Sequence, residues 1–363
     1  MPNAFCNYLS NGYTFDINST SKKVKVMPCC HWRGERLELT ADIKSTRALA
    51  FESVTDWTDS CKNCHVLEKA GHQSLRQTGP MWINTTAISD PVSIDINLDH
   101  ECNAACAPCS EWSSSLWYKE KRKFDKSLVK LHVDKTSVDR AIDKIVSTVC
   151  LDQVRYIKFF GGEPLFTDTH LKFLIHVPNP EQVTLHYTTN GSIYPNAETL
   201  AMWKKFKTVI FAASLDGIQQ QFDYVRWPLS WNKVSDNLLR IKNNPDIWNV
   251  LFRVEFTANF LNAYYFDRLE TWIKDNLATN GYGDTTEITM HNCWGGTWDI
   301  DKMPLAIREL VLKKYPVTHP MHTMVANLAP PTSLDNWKIF TETWDPRRKN
   351  NWKTAFPDLI EFL

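Results

Sequence analysis

The sequence predicts an α/β protein, in which a partial (β/α)6 TIM-like barrel follows a small N-terminal cysteine-rich metal module and precedes a C-terminal helical extension. Strand-like and helix-like stretches alternate through the middle of the chain, which is the pattern of parallel strands joined by helices. Five of the ten cysteines lie within the first 64 residues, and four prolines interrupt the helical pattern between positions 316 and 331. We therefore expect three domains, at residues 1–84, 85–295 and 296–363.

Six strands are expected in the barrel domain. Alternation of apolar and polar residues indicates the first, and short apolar runs indicate the others. The predicted strands are 91–98, 156–160, 183–188, 209–215, 250–258 and 287–290. Helices with one apolar face are expected at 137–149, 197–206, 231–243 and 266–277, the first of them capped by Thr136. Reactive groups of α/β barrels lie on the loops after the strands, so a site is expected there.

The composition excludes several classes of protein. Apolar residues make up 43% and charged residues 23% of the chain, as in water-soluble globular proteins. The 41 basic and 41 acidic residues cancel, which leaves no overall field to attract nucleic acid or a membrane. No apolar run reaches the roughly 18 residues of a spanning helix, and the start of the chain lacks the features of a signal peptide. We therefore expect a cytoplasmic protein without a membrane partner, whose clustered cysteines bind metal.

A cysteine triplet, Cys102, Cys106 and Cys109, follows the first predicted strand with C-x3-C-x2-C spacing. Three thiolates at this spacing can hold three irons of a [4Fe–4S] cluster and leave the fourth iron open, which makes it a reaction site. Polar motifs follow the next three strands. They are Gly161, Gly162, Glu163 and Pro164 after the second, Asn190 after the third, and Ser214 and Asp216 after the fourth.

This ordered set of motifs resembles the radical SAM enzymes over roughly residues 90–295. The resemblance implies that the cysteine triplet holds a catalytic [4Fe–4S] cluster and that S-adenosylmethionine (SAM) chelates its open iron. It also implies that an electron from the reduced cluster cleaves a C–S bond of SAM, and that the resulting 5′-deoxyadenosyl radical abstracts hydrogen from a substrate. A reductant such as flavodoxin or ferredoxin would supply the electron.

The turn after the second strand has the groups that the ammonium of SAM needs. Gly161 and Gly162 allow close approach of backbone carbonyls, and Glu163 adds a carboxylate. Pro164 stiffens the turn.

The remaining contacts to SAM are assigned to residues after the third and fourth strands. Asn190, Ser214 and Asp216 are candidates for its ribose hydroxyls, and Arg226 for its carboxylate, although Arg226 could equally be structural. The position before the third cysteine is often aromatic in this family and packs near the adenine, whereas this chain has Pro108.

The N-terminal cysteines predict a second metal site. Cys6, Cys30, Cys61 and Cys64 could close a site with no open position. Cys29 is the possible replacement for Cys30, because adjacent side chains diverge and both cannot easily bind one metal.

A run of Glu68, Gly71, Ser74 and Arg76 follows these cysteines, and together they resemble the twitch or SPASM type of auxiliary module. The resemblance implies a second [4Fe–4S] cluster, which with four thiolates would relay electrons and with three could bind substrate. Zinc held by four cysteines is the alternative, and a site without metal is the third possibility.

The substrate implied by the resemblance is a peptide or protein. A nucleotide or RNA is the alternative, because basic runs occur at 119–123 and 347–349, and a small metabolite is another. A non-catalytic metal-binding scaffold would be a different class of protein altogether.

Overall fold

The computed structural model describes residues 6–17, 21–51, 57–69, 74–78, 90–129, 133–277, 286–293 and 296–363. Within these ranges, no helix combines the length and the apolar character needed to cross a lipid bilayer.

Nine strands of the described residues belong to one sheet, in the order β3-β2-β1-β4-β5-β6-β7-β8-β9. The strands are β1 Gly12–Ile17, β2 Val24–Met27, β3 Leu37–Glu38, β4 Ser93–Asn97, β5 Tyr156–Phe159, β6 Thr184–Thr189, β7 Thr208–Ser214, β8 Val250–Ala258 and β9 Glu287–Asn292. The pairs β1–β4, β4–β5, β5–β6 and β8–β9 are parallel, whereas β2 pairs antiparallel with β1 and with β3. The fold is therefore mixed α/β with a mostly parallel sheet.

The helices lie between and after the strands. They are α1 Asn7–Asn11, α2 Ile43–Phe51, α3 Lys62–Lys69, α4 Leu75–Thr78, α5 Ser115–Arg122, α6 Lys135–Thr148, α7 Thr169–Leu174, α8 Ala197–Trp203, α9 Gln219–Val225, α10 Trp231–Lys242, α11 Phe266–Asn276, α12 Leu305–Lys314, α13 Pro320–Ala326, α14 Asp335–Arg348 and α15 Trp352–Ala355.

The chain divides into two compact units. The first comprises residues 1–101, 129–187 and 195–210. Its core includes a row of apolar side chains that pair across four neighbouring parallel strands, namely Phe15, Ile96, Phe159 and Tyr187. All four are at most 2% exposed, as is usual for a parallel sheet covered by helices.

The second unit comprises residues 102–128, 188–194 and 211–363. Its core is rich in aromatic rings. Trp337 packs edge-on against Phe260 at 5.4 Å and against Trp352 at 5.1 Å, and the Trp298 ring stacks on Phe260 at 6.1 Å. The C-terminal helices therefore contribute to the core of this unit.

All six predicted strands are present, with bounds within three residues of those expected. The predicted helix at 137–149 begins earlier, at Lys135, because Asp134 rather than Thr136 is its N-cap and accepts from the Ser137 N–H. Strands β1, β2 and β3 were not predicted, and they attach the N-terminal cysteine region to the sheet. The expected domain boundary at 84/85 falls among residues outside the described ranges, and the boundary at 295/296 adjoins two such residues.

Candidate functional site

The cysteine triplet lies on a loop of the second unit, between β4 and α5, whose backbone is held by neighbouring residues. The Ala105 N–H donates to the Trp227 carbonyl at 2.7 Å. The indole N–H of Trp117 donates to the Cys106 carbonyl, also at 2.7 Å. Because its backbone groups are engaged in this way, the loop has a defined conformation in which to present its thiols.

Two of the three sulfurs accept hydrogen bonds. The Ala104 N–H donates to Cys102 Sγ at 3.4 Å, and an Arg226 Nη1–H donates to Cys106 Sγ at 3.9 Å. Burial raises the pKa of the Cys106 thiol, and burial together with the neighbouring Cys106 raises the pKa of Cys109 to about 12. The Cys106 and Cys109 thiols are therefore protonated at neutral pH and must release protons when they bind a metal.

Arg226 is oriented by a buried carboxylate. Its Nε lies 2.7 Å from Asp216 Oδ2, and the Asp216 side chain is fully buried. Asp216 also accepts from the Thr257 N–H at 2.9 Å. The sequence predicted contacts to SAM for both residues, and these assignments stay predictions. In the structure each residue has a partner within the protein, and Arg226 also contacts Cys106.

Asn190 contacts the same loop. Its Nδ2 donates to Asn103 Oδ1 at 2.9 Å, and Asn103 Nδ2 donates to Ser192 Oγ at 2.9 Å. Asn103 was not singled out from the sequence, because only the fold brings it to the turn after β6. Ser214 is half-buried at the end of β7, and its assignment to ribose stays a prediction.

The Gly161–Pro164 turn belongs to the first unit, where it packs against the backbone of residues 99–101. A Cβ atom on Gly162 would lie 2.2 Å from the Glu101 carbonyl oxygen, and Gly161 has φ +126°. The Glu163 N–H donates to the same carbonyl at 2.9 Å, and its side chain is only 2% exposed. The two glycines are thus required by the close approach of two backbone segments.

Four N-terminal thiols are neighbours in the first unit. Cys6, Cys29 and Cys61 pack against an apolar cluster of Leu9, Met27, Trp32 and Phe51. Burial raises the pKa of Cys6 to about 11, with further increases from Cys64 and Cys61. Burial, followed by the charges of Cys30 and Cys6, raises the pKa of Cys29.

Cys30 does not join this group. Its thiol and its backbone N–H are hydrogen-bonded to the Asp95 carboxylate on β4, which also accepts from the Thr14 hydroxyl at 3.1 Å. Burial, followed by the charge of Asp95, raises the pKa of Cys30 to about 12. The sequence preferred Cys30 over Cys29 as a ligand, and that assignment stays a prediction. In the structure, the two adjacent side chains diverge and Cys30 faces Asp95 on the sheet.

The polar residues after these cysteines form a hydrogen-bonded network. The Ser74 hydroxyl donates to Glu68 Oε1 at 2.5 Å, and Arg76 Nε donates to the same oxygen at 3.0 Å. A second Arg76 nitrogen pairs with Glu68 Oε2, and the guanidinium lies 5.1 Å from the Trp57 ring. This network joins α3, which contains Cys64, to α4, whereas Gly71 lies outside the described residues.

The donor set of the triplet is compatible with an iron–sulfur cluster. Its thiols are partly buried, and N–H and guanidinium groups donate to two of the sulfurs, as the environment of a cluster requires. In the described part of the chain, no three His, Cys, Asp or Glu side chains are placed to bind one metal ion. A cubane distributes its thiolates over separate irons, so its ligands need not converge on a single point.

Arg348, at the end of α14, is a further residue that sequence reasoning missed. Its Nη2 donates to the Ala105 carbonyl at 3.1 Å, and its guanidinium lies 4.3 Å from the Trp117 ring. In the sequence it belongs to a basic run, which suggested a charged surface. The sequence signal that could have indicated this role is Trp344, four positions earlier on the same helix face, where its ring can contact the guanidinium.

No protein-family model matches the chain, and no curated protein matches it. Among solved structures, native anSMEcpe with bound AdoMet aligns with 62% of this chain and 59% of its own, at 15% identity and a TM-score of 0.42. Streptococcus suis SuiB bound to S-adenosylmethionine aligns with 96% of this chain and 75% of its own, at 12% identity and a TM-score of 0.40.

SuiB bound to its precursor peptide SuiA aligns with 88% of this chain and 63% of its own, at 12% identity and a TM-score of 0.39. The present chain spans less than two thirds of the anSMEcpe chain.

Proposed function

We propose that this chain is a radical SAM enzyme. The observation that carries the proposal is the cysteine loop, in which three partly buried thiols with C-x3-C-x2-C spacing lie on a hydrogen-bonded backbone and two sulfurs accept from Ala104 and Arg226. Cys102, Cys106 and Cys109 would hold a [4Fe–4S] cluster. When bound, this cluster and SAM supply the reductive C–S cleavage that gives a 5′-deoxyadenosyl radical.

Residues around the loop would hold and polarise the ligands. Asp216 fixes the Arg226 guanidinium, whose N–H donates to Cys106 Sγ and would stabilise the thiolate that forms when Cys106 binds iron. Asn190 would anchor the loop through Asn103. The assignments of Gly161–Pro164 to the SAM ammonium, and of Asn190, Ser214 and Asp216 to the ribose, stay predictions from the sequence.

Cys6, Cys29, Cys61 and Cys64 would hold a second [4Fe–4S] cluster in a twitch- or SPASM-like module. Cys6, Cys29 and Cys61 pack against one apolar cluster, and Cys64 raises the pKa of Cys6; both observations support this proposal. Four thiolates leave no iron open, which favours electron relay over direct substrate binding. Zinc remains the alternative occupant.

Metal analysis after anaerobic reconstitution tests both sites. Two clusters predict about eight irons per chain, and the Cys102→Ala/Cys106→Ala/Cys109→Ala variant should retain about four. Cys150→Ala is the matched control, because that cysteine is exposed. About four irons in the wild type and none in the triple variant would refute the second cluster, and one zinc per chain would then identify the alternative.

Product analysis distinguishes an enzyme from a metal-binding scaffold. The reconstituted protein, reduced by dithionite or by a flavodoxin or ferredoxin, should convert SAM to 5′-deoxyadenosine, and the triple variant should not. A protein with a full complement of iron that forms no 5′-deoxyadenosine would support the scaffold. A cytoplasmic location stays a prediction from the clustered cysteines.

We propose that the substrate is a peptide or protein, with a small metabolite and a nucleotide or RNA as alternatives. In the 119–123 run, Lys121 pairs with Glu111 at 2.5 Å and Lys123 with Glu120 at 2.6 Å, which reduces its charge toward RNA. Cell extract should stimulate 5′-deoxyadenosine formation, and protease treatment of the extract should abolish the stimulation. If RNase abolishes it instead, or if the stimulation survives both treatments in a small-molecule filtrate, the peptide proposal is wrong.

A further inference from the structure

Arg348 is a buried cation enclosed by aromatic rings beside the cysteine loop. Its guanidinium carbon lies 4.3 Å from the Trp117 ring centre, 4.7 Å from Trp227 and 5.3 Å from Trp344. The side chain donates to the Ala105 carbonyl, between Cys102 and Cys106. The C-terminal helix α14, to which the sequence assigned no chemistry, therefore places a charge at the proposed cluster loop.

No carboxylate lies within ion-pair distance of Arg348 in the part of the chain that the structure describes, although Glu120 and Asp345 act on its charge from further away. No ion pair involves it, and its Nε has no hydrogen-bond partner. The other guanidinium at this loop, that of Arg226, is already offset by Asp216 at 2.7 Å. A buried cation without a close anion is costly, so an anion at the loop would stabilise it.

Cys106, when it is a thiolate, is the group whose charge would most stabilise this cation. Burial lowers the pKa of Arg348 to about 10, and Cys106 is the largest of the charges that oppose this decrease. The aromatic faces add a favourable electrostatic term but no net negative charge. The carboxylates Glu120 and Asp345 act on Arg348 only from beyond ion-pair distance, so its positive charge beside the sulfurs is only partly compensated.

We propose that Arg348 is the fixed countercharge of the cluster held by Cys102, Cys106 and Cys109, and that it makes reduction of that cluster easier. The inference rests on the proposed function. A [4Fe–4S] cluster held by three thiolates is anionic, and reduction adds one further negative charge. A fixed cation nearby therefore stabilises the reduced form more than the oxidised form.

Two substitutions separate the charge from the hydrogen bond. Arg348→Gln removes the charge but keeps a donor for the Ala105 carbonyl, whereas Arg348→Lys keeps the charge and loses the planar donor. Arg347→Gln is the matched control, because this neighbour is exposed and lies 4.5 Å from the Phe124 ring. The readout is the midpoint potential of the cluster, measured by a redox titration followed by EPR, together with iron content.

Arg348→Gln should lower the equilibrium constant for reduction on the order of tenfold, which is 59 mV for a one-electron couple, at unchanged iron content. Arg348→Lys and Arg347→Gln should stay close to the wild type. A wild-type potential in Arg348→Gln would overturn the proposal and leave Arg348 a purely structural role. If Arg348→Gln binds no iron, the Arg348→Lys variant provides the test instead. A tenfold decrease in its equilibrium constant for cluster reduction would overturn the proposal. A wild-type chain without iron at the triplet would refute the proposed function instead.

Discussion

His170 should make the stability of the chain depend on pH in a defined way. It lies on α7, is 3% exposed, and its Nδ1 is 3.0 Å from the Tyr187 hydroxyl. Burial lowers its pKa from 6.5 to about 4. Between these values the unfolded chain binds a proton at this residue that the folded chain does not, so the free energy of unfolding should fall as the pH decreases from 6.5 to 4.

The pKa difference sets the size of this effect. At about 1.4 kcal/mol per pH unit, the full change is roughly 3 kcal/mol, most of which should be lost by about pH 4.5. Urea unfolding of the intact chain, followed at several values between about pH 4.5 and 7.5, measures it. Because other groups also titrate, the quantity to compare is the difference in unfolding free energy between wild type and His170→Phe.

His170→Phe leaves the Tyr187 hydroxyl without this partner, which costs about 1 kcal/mol at every pH. The wild type should therefore be more stable than the variant near neutral pH and should lose that advantage on acidification. His176→Phe is the matched control, because it removes a histidine that is exposed. A wild-type advantage that stays constant from pH 7.5 to 4.5 would show that His170 is not held neutral by burial.

Three further predictions test the site and its support. Cys29→Ser should lower bound iron by about four per chain, whereas Cys30→Ser should leave it unchanged. Equal losses of iron in the two variants would show that the structure does not separate the roles of the two thiols. Gly162→Ala should destabilise the chain by about 1–3 kcal/mol in urea, because its Cβ would overlap a carbonyl oxygen, whereas Gly296→Ala meets nothing within 4 Å. Arg226→Met should lower the free energy of unfolding by about 3–5 kcal/mol in the same assay, because the buried Asp216 carboxylate would lose its countercharge. A decrease below about 1 kcal/mol would refute that ion pair.

Local patterns predicted much of the sheet but not its N-terminal strands. The six strands from β4 to β9 repeat with helices between them, and this alternation is visible in the sequence. Strand β1 pairs with β4 through contacts such as Thr14 to Asp95, which are 81 residues apart. A pairing over such a distance leaves no trace in a local pattern, because it depends on the tertiary fold.

The cysteine triplet could be recognised because its three ligands are close together in the sequence. The role of Arg348 could not, because it contacts Ala105 across 243 residues. The choice between Cys29 and Cys30 likewise depends on Asp95, a sheet residue that spacing alone does not connect to them.

The parallel pairing of β1 with β4 has a consequence for protein engineering. Deleting residues 1–84 to isolate the central region would remove β1, β2 and β3 and leave the edge of β4 without its hydrogen-bonded neighbour. An open, uncapped strand edge of this kind promotes aggregation between chains. The N-terminal cysteine region should therefore be altered by point substitution rather than by truncation, since an insoluble fragment would reveal nothing about its metal.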